Sequence, residues 1–193
     1  MEPIDRAELY RRTVEAWNER VAAVPRDAWS GPTPCEDWTV RELVNHVTGE
    51  NLWAPPLFDG ATIEEVGDRF DGDLLGEDPA AAARAAADDA VAAADRVAAD
   101  GTVHLSFGET PVEEYLAQLA ADHLVHAWDL AAATGGDRRF DPDLVAAVAS
   151  WFADREELYR SAGAIGPAAA GTTDPQDDLI ARFGRDPGWQ PAG

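Results

Sequence analysis

The longest uninterrupted helical pattern in the sequence lies between Pro111 and the Gly135–Gly136 pair. Proline is favoured in the first turn of a helix and glycine just beyond its end, so this pattern predicts one helix from about 111 to 134. Most of its residues are apolar, yet its middle contains Asp122, His123 and His126. A long helix of this composition must pack against other helices, and the three polar residues require an explanation.

Three further segments are predicted to form long helices. Apolar residues recur at helical spacing in the first and stop at Pro25, while Asp37 or Thr39 is the expected N-cap of the second. Pro55 and Pro56 are expected to end the second helix, and alanine dominates the third. The predicted ranges are about 5–24, 39–53 and 78–99.

These four helices predict a mostly α protein, a four-helix bundle within a single domain over residues 1–193. A short strand is expected at 102–107, where apolar and polar residues alternate before Gly108, and another helix at 142–161. The Gly- and Asp-rich connection 56–77 is long enough to be a lid, with at most one helical turn.

The charge balance excludes several classes of partner. Fifteen Lys and Arg against 37 Asp and Glu give a formal charge of −22, which repels nucleic acid and anionic membrane surfaces alike. The sequence contains neither a signal-peptide pattern nor an apolar run long enough to span a membrane, and its single cysteine, Cys35, fits a reducing compartment. We expect a cytoplasmic monomer or homodimer that acts on a small molecule.

Two predicted helices send polar side chains toward the core. Asp122 and His126 lie four positions apart and share the apolar face of their helix, whereas His123 lies to the side. His46 shares an apolar stripe with Glu50 on the second helix. Asp122 and His126 form either a structural hydrogen bond or, with His46, a three-ligand divalent metal site. Glu50 either orients the metal or its water, or forms a surface ion pair at the helix end.

Two stretches resemble a known family. The segments GPTPCEDWTVRELVNHVTGE and EYLAQLAADHLVHAWDLAAATG are similar to the actinobacterial metal-binding branch of the DinB-like four-helix proteins, related to the metal-binding domain of mycothiol-dependent maleylpyruvate isomerases. The resemblance extends from Ala7 to Trp189. It implies that His46, Asp122 and His126 are metal ligands and that Cys35 lies in a structural turn. In the isomerase pattern the acid at position 122 is usually Glu, and in many DinB-like proteins it is His.

Two functions remain open at this point. The resemblance implies a metal-dependent thiol transferase or isomerase, in which the metal activates a low-molecular-weight thiol of the mycothiol type. Zinc suits two imidazoles and a carboxylate, and nickel, iron or manganese are compatible with the same ligands. The alternative is a non-catalytic, metal-stabilised bundle that binds another protein. An open coordination position beside a pocket would favour the enzyme, and a fourth protein ligand would favour the structural role.

Overall fold

The computed structural model describes residues 4–191, in which helices account for most of the regular structure. In chain order the elements are α1 (Arg6–Ala22), α2 (Val40–Phe58), α3 (Ile63–Val66), α4 (Pro79–Ala94), β1 (Thr102–Leu105), β2 (Gly108–Pro111), α5 (Val112–Thr134), α6 (Pro142–Ala153), α7 (Glu156–Ser161) and α8 (Pro175–Arg182).

The four long helices α1, α2, α4 and α5 form the predicted bundle. α1 packs against α5 and α4, and α2 packs against α4 and α5. Apolar side chains from all four helices fill the interior, with Leu9, Ala54, Ala90 and Leu124 fully buried. Within the described part of the chain, no helix is both long and apolar enough to cross a membrane.

Tertiary packing extends α2 beyond the point at which the sequence predicts its end. Pro55 and Pro56 lie inside the helix rather than after it, so the predicted boundary at 53 is wrong. Each proline removes one backbone hydrogen bond, but Leu57 and Phe58 are buried in the core, and Phe58 contacts the Tyr115 ring at a centroid distance of 5.4 Å. Burial of these two apolar side chains offsets the lost hydrogen bonds.

The short elements differ from the prediction at two places. β1 is present, but Gly108 begins a second strand instead of ending the extended segment, and the two strands pair antiparallel as a hairpin. The predicted helix 142–161 is split into α6 and α7. At the break, Arg155 turns toward α5 and donates two hydrogen bonds of 2.7 and 2.6 Å to the Glu114 carboxylate.

The connection 56–77 contains α3, the single helical turn that its sequence allows. Its second half is attached to α2: Asn45 donates to the Gly72 carbonyl at 3.0 Å and accepts from the Leu74 amide at 2.8 Å. Arg41 adds an ion pair with Asp73 at 2.9 Å. These contacts hold the connection against the first half of α2.

The N-terminus of α2 is stabilised by a capping box. The Thr39 hydroxyl accepts from the Glu42 amide, and the Glu42 carboxylate accepts from the Thr39 amide at 2.7 Å. We expect Thr39→Ala to lower the free energy of unfolding by about 1 kcal/mol, measured by urea denaturation. Thr62→Ala is the matched control, because the same box caps the four-residue α3 and should cost less. Equal losses in the two variants would contradict this ranking.

Candidate metal centre

The structure brings His46, Asp122 and His126 together. One ligand atom from each lies within 4.8 Å of the other two. His126 and Asp122 are one helical turn apart on α5, with Nε2 of the histidine 3.3 Å from Oδ1 of the aspartate. His46 reaches them from α2, and its ring centroid lies 5.1 Å from that of His126. The Trp38 ring lies beside both imidazoles, at centroid distances of 4.8 and 6.1 Å.

Asp122 supplies an oxygen that suits a cation. Although 32% of its side chain is exposed, its Oδ2 atom is buried and accepts no hydrogen bond from residues 4–191. A buried carboxylate oxygen without a partner is costly, and a bound cation would remove that cost. Two imidazole nitrogens and one carboxylate oxygen form a donor set that fits a divalent ion such as Zn²⁺. The residues present therefore fit the metal that the sequence predicts.

His126 is held between two carboxylates. Its Nδ1 lies 3.0 Å from Oδ2 of Asp129, and its Nε2 faces Asp122. Because Asp129 can only accept a hydrogen bond when ionised, the Nδ1 position carries the proton and Nε2 is the atom available to a metal. Burial acts to lower the pKa of His126, but the charges and hydrogen bonds of the two carboxylates hold it well above its ordinary value. A positive charge is thus favoured at this position.

The same electrostatics act on Asp122 in the opposite direction. Burial would raise the pKa of its carboxyl, but the charge and hydrogen bond of His126 hold that pKa below the usual range. The carboxylate is consequently ionised at neutral pH, as a metal ligand must be.

Asp129 is itself held by two residues from distant parts of the chain. Arg185 donates from Nη2 to Oδ2 of Asp129 at 3.0 Å, and the Cys35 thiol donates to the same oxygen at 3.2 Å. The Asp129 side chain is fully buried. Arg185 therefore balances a buried charge that would otherwise be strongly unfavourable. Through Asp129, the segment before α2 and the C-terminal segment, residues 162–191, both support the orientation of His126.

Sequence reasoning missed Asp129 and Arg185, and the family resemblance placed Cys35 in a structural turn. The sequence could have indicated Asp129, because this residue follows His126 by one helical turn and belongs to the pattern that carries the family resemblance. Arg185 lies just beyond the short amphipathic helix α8, where no sequence pattern indicates a role for it. Cys35, His126 and Asp129 also form a group with metal-ligand spacing, but the Arg185 guanidinium lies 3.5 Å from the thiol and supplies the positive charge there.

His123 does not join the centre, in agreement with its position on the predicted helix. Its Nδ1 lies 2.7 Å from the Leu119 carbonyl, and its Nε2 lies 3.1 Å from the Asn51 side chain. Both nitrogens of this fully buried ring are therefore engaged in the core. His123 has the structural role of a satisfied core histidine.

Glu50 lies close to the three candidate ligands without joining them as a fourth donor. Within residues 4–191, the group at ligand spacing that includes Asp122 contains His46 and His126 but not Glu50. Burial and the negative charge of Asp122 raise the pKa of Glu50 to about 7. This carboxyl can accordingly exchange a proton near neutral pH beside the centre.

A cavity of about 200 Å³ reaches Asp122 and His126. Its remaining walls come from α5, α6, α7 and the C-terminal segment, including Ile165 and Phe183. The connection 56–77, which is long enough to be a lid, contributes none of the lining residues and does not cover this cavity. The reason is that Asn45 and Arg41 bind this connection to α2, whereas Arg185 binds the C-terminal segment to α5.

A larger cavity, about 500 Å³, lies between α1 and residues 131–144, away from the candidate ligands.

The comparisons with known proteins agree with this architecture. The uncharacterized proteins MT0763 and Rv0738 of Mycobacterium tuberculosis are each 34% identical over 173 residues, which cover 88% of this chain and 84% of the relative. Crystal structures of the mycothiol-dependent maleylpyruvate isomerase and of a histidine-to-alanine mutant of that enzyme share the fold, with a TM-score of 0.62. They are 16% and 15% identical, and the match covers 82% of this chain and 71% of theirs.

The family comparison matches the part of the chain that contains most of the bundle and all three candidate ligands. Residues 10–131 match the family described as the mycothiol maleylpyruvate isomerase N-terminal domain. This match confirms the predicted resemblance. The chain therefore belongs to the family of the mycothiol maleylpyruvate isomerase N-terminal domain.

Proposed function

We propose that the protein binds one divalent ion through His46, Asp122 and His126 and uses it in a thiol-dependent transfer or isomerisation of a small molecule. The observation that carries this proposal is the buried, unpartnered Oδ2 of Asp122 beside two imidazoles, all within reach of one ion. Zinc is the ion that we expect for this donor set, and nickel, iron and manganese are the alternatives to be distinguished.

Each residue of the centre has a separate task in this proposal. The metal, when bound, lowers the pKa of a thiol or water and polarises a carbonyl. Asp129 keeps the proton of His126 on Nδ1, and Arg185 keeps Asp129 ionised. Glu50, a largely buried carboxylate beside Asp122, would accept the proton that a thiol or water loses at the centre.

The thiol part of the proposal is supported by the family and by the open side of the centre. The solved relatives are named as mycothiol-dependent, and this chain belongs to the family of their N-terminal domain. Three protein donors leave a divalent ion with at least one free position, which a sulfur ligand would need. A cavity reaches Asp122 and His126, two of the three candidate ligands, from the side of α6 and α7.

The test begins with elemental analysis of protein purified without added metal. The protein is then loaded with Co²⁺ and titrated with mycothiol and with 2-mercaptoethanol. We expect a sulfur-to-cobalt charge-transfer band that appears only after thiol is added. A metal-loaded protein that shows no such band with either thiol would favour a structural ion and contradict the thiol-dependent function.

Cys35→Ser is the matched control for this titration. The Cys35 sulfur lies 3.9 Å from Nδ1 of His126, so an internal thiolate is the main competing source of a band. We expect the band of the variant to develop with added thiol as in the parent protein. Loss of the band in Cys35→Ser would assign it to the protein's own cysteine instead of an external thiol.

The protein is also expected not to bind nucleic acid. A formal charge of −22 opposes phosphate contacts, and Arg185 beside the centre is paired with Asp129. In a mobility assay at low salt, duplex DNA should migrate unchanged at every protein concentration. A salt-sensitive shift of the DNA would contradict this prediction.

A further inference from the structure

We propose that the cavity beside the centre selects a small, mostly apolar ligand with a single polar end, and that it disfavours polyanions. This inference rests on the proposed function for the ligand's polar end, which would face Asp122 and His126. The walls, the charges and the size of the cavity each support it independently.

Apart from Gln118 and the polar end of the cavity, the walls are aromatic and aliphatic. Trp151, Tyr159 and Phe183 contribute rings, and Ile165 and Val125 contribute aliphatic surface. The rings are held by their neighbours: Trp151 and Tyr159 meet edge to face at 5.9 Å, and Phe183 stacks on Phe152 at 3.9 Å. A planar apolar group entering between these side chains would find fixed surfaces, which lowers the entropic cost of binding.

The charges of the cavity leave little to bind a second anionic group. Apart from His126, which is a candidate metal ligand, Arg185 is the one cationic side chain among the described lining residues. Its hydrogen bonds go to Asp129, to the Cys35 sulfur and to the Phe183 carbonyl. A carboxylate placed away from the metal would therefore lose its water without gaining an unoccupied cationic partner.

The size of the cavity restricts the body of the ligand to about one ring. Its volume is about 200 Å³. Sites for drug-sized ligands generally occupy roughly 300–1,000 Å³, so a large ligand would leave most of its atoms outside. A compound with one aromatic ring next to its polar end fits the space, the walls and the charge.

Three thiols with different bodies test this selection on metal-loaded protein. Benzyl mercaptan carries a ring, 2-mercaptoethanol lacks one, and mercaptosuccinate carries two carboxylates. We expect calorimetry to show roughly tenfold tighter binding of benzyl mercaptan than of 2-mercaptoethanol, since the ring buries apolar surface. Mercaptosuccinate should bind no tighter than 2-mercaptoethanol. Equal affinity for the first two thiols, or preference for mercaptosuccinate, would overturn the inference.

A pair of tryptophan substitutions locates the effect in the cavity. Ala164 lines the cavity and is exposed, so Ala164→Trp should fill the space without disturbing the core. Ala170→Trp adds the same ring at an exposed position outside the lining. We expect Ala164→Trp to abolish the advantage of benzyl mercaptan and Ala170→Trp to preserve it. An undiminished advantage in Ala164→Trp would show that the ring binds elsewhere.

Metal analysis of every sample separates this inference from the proposed function. Protein that contains no metal would contradict the metal centre alone. The cavity can then be tested with toluene, which needs no metal: it should bind the parent protein and Ala170→Trp and not Ala164→Trp. Failure of toluene to distinguish the two variants in metal-free protein would overturn the inference itself.

Discussion

Replacing His126 with alanine should reduce the metal content of the purified protein from about one ion per chain to background. The substitution removes one of three donors and also the Nδ1 atom through which Asp129 acts on the centre. The two remaining donors, His46 and Asp122, are too few to retain a divalent ion through purification. The measurement is elemental analysis of protein prepared without added metal, with circular dichroism to verify the helical content.

His104→Ala is the control for the loss of an imidazole. His104 lies on β1, opposite Glu109 in the hairpin, and is not part of the group at ligand spacing. Its variant should retain the metal content of the parent protein. Full metal occupancy in His126→Ala would mean that the proposed ligand set is wrong.

Asp129→Asn should weaken metal binding roughly 10- to 100-fold, although Asp129 is not a candidate ligand. An amide can donate a hydrogen bond to Nδ1 of His126, and the proton of the imidazole would then move to Nε2, the atom that faces Asp122. Competition with a chromophoric chelator measures this change. The same variant should lose about 3–5 kcal/mol of stability, because it leaves the largely buried Arg185 without its charged partner.

Asp141→Asn is the matched control. Asp141 also pairs with an arginine, Arg12 at 2.8 Å, but 70% of its side chain is exposed. Exposed ion pairs contribute little, so this variant should change stability by less than about 1 kcal/mol and leave metal binding unaltered. If Asp129→Asn lowered stability but bound metal normally, Asp129 would have a structural role only, and its influence on the His126 tautomer would be excluded.

Helix geometry explains why the three candidate ligands could be predicted from the sequence. Asp122 and His126 are four positions apart, and a helix places such residues on one face whatever their surroundings. His46 lies on an apolar stripe of the facing helix, and the resemblance to a known family indicated the same three positions. The bundle itself could be predicted from apolar periodicity and from proline and glycine at helix ends, as at Pro79 and Gly135.

The remaining parts of the site depend on contacts between segments far apart in the chain. Arg185 reaches Asp129 across 56 positions and Cys35 across 150, and no local pattern in the tail indicates either contact. The cavity is likewise lined by α6, α7 and the C-terminal segment, whose positions follow from tertiary packing. The extension of α2 through Pro55 and Pro56 has the same origin, because buried neighbours outweigh a local preference.

The contact between Arg185 and Asp129 has a consequence for the order of assembly. All three candidate ligands precede residue 127, so the bundle can bring them together before the C-terminal segment docks. Until then Asp129 lacks its cation, and the resulting electrostatic penalty favours docking of residues 183–185. We therefore expect hydrogen exchange at these amides to be faster in Asp129→Asn than in the parent protein. Docking of residues 183–185 thus completes a charge balance that begins at Asp129 on α5.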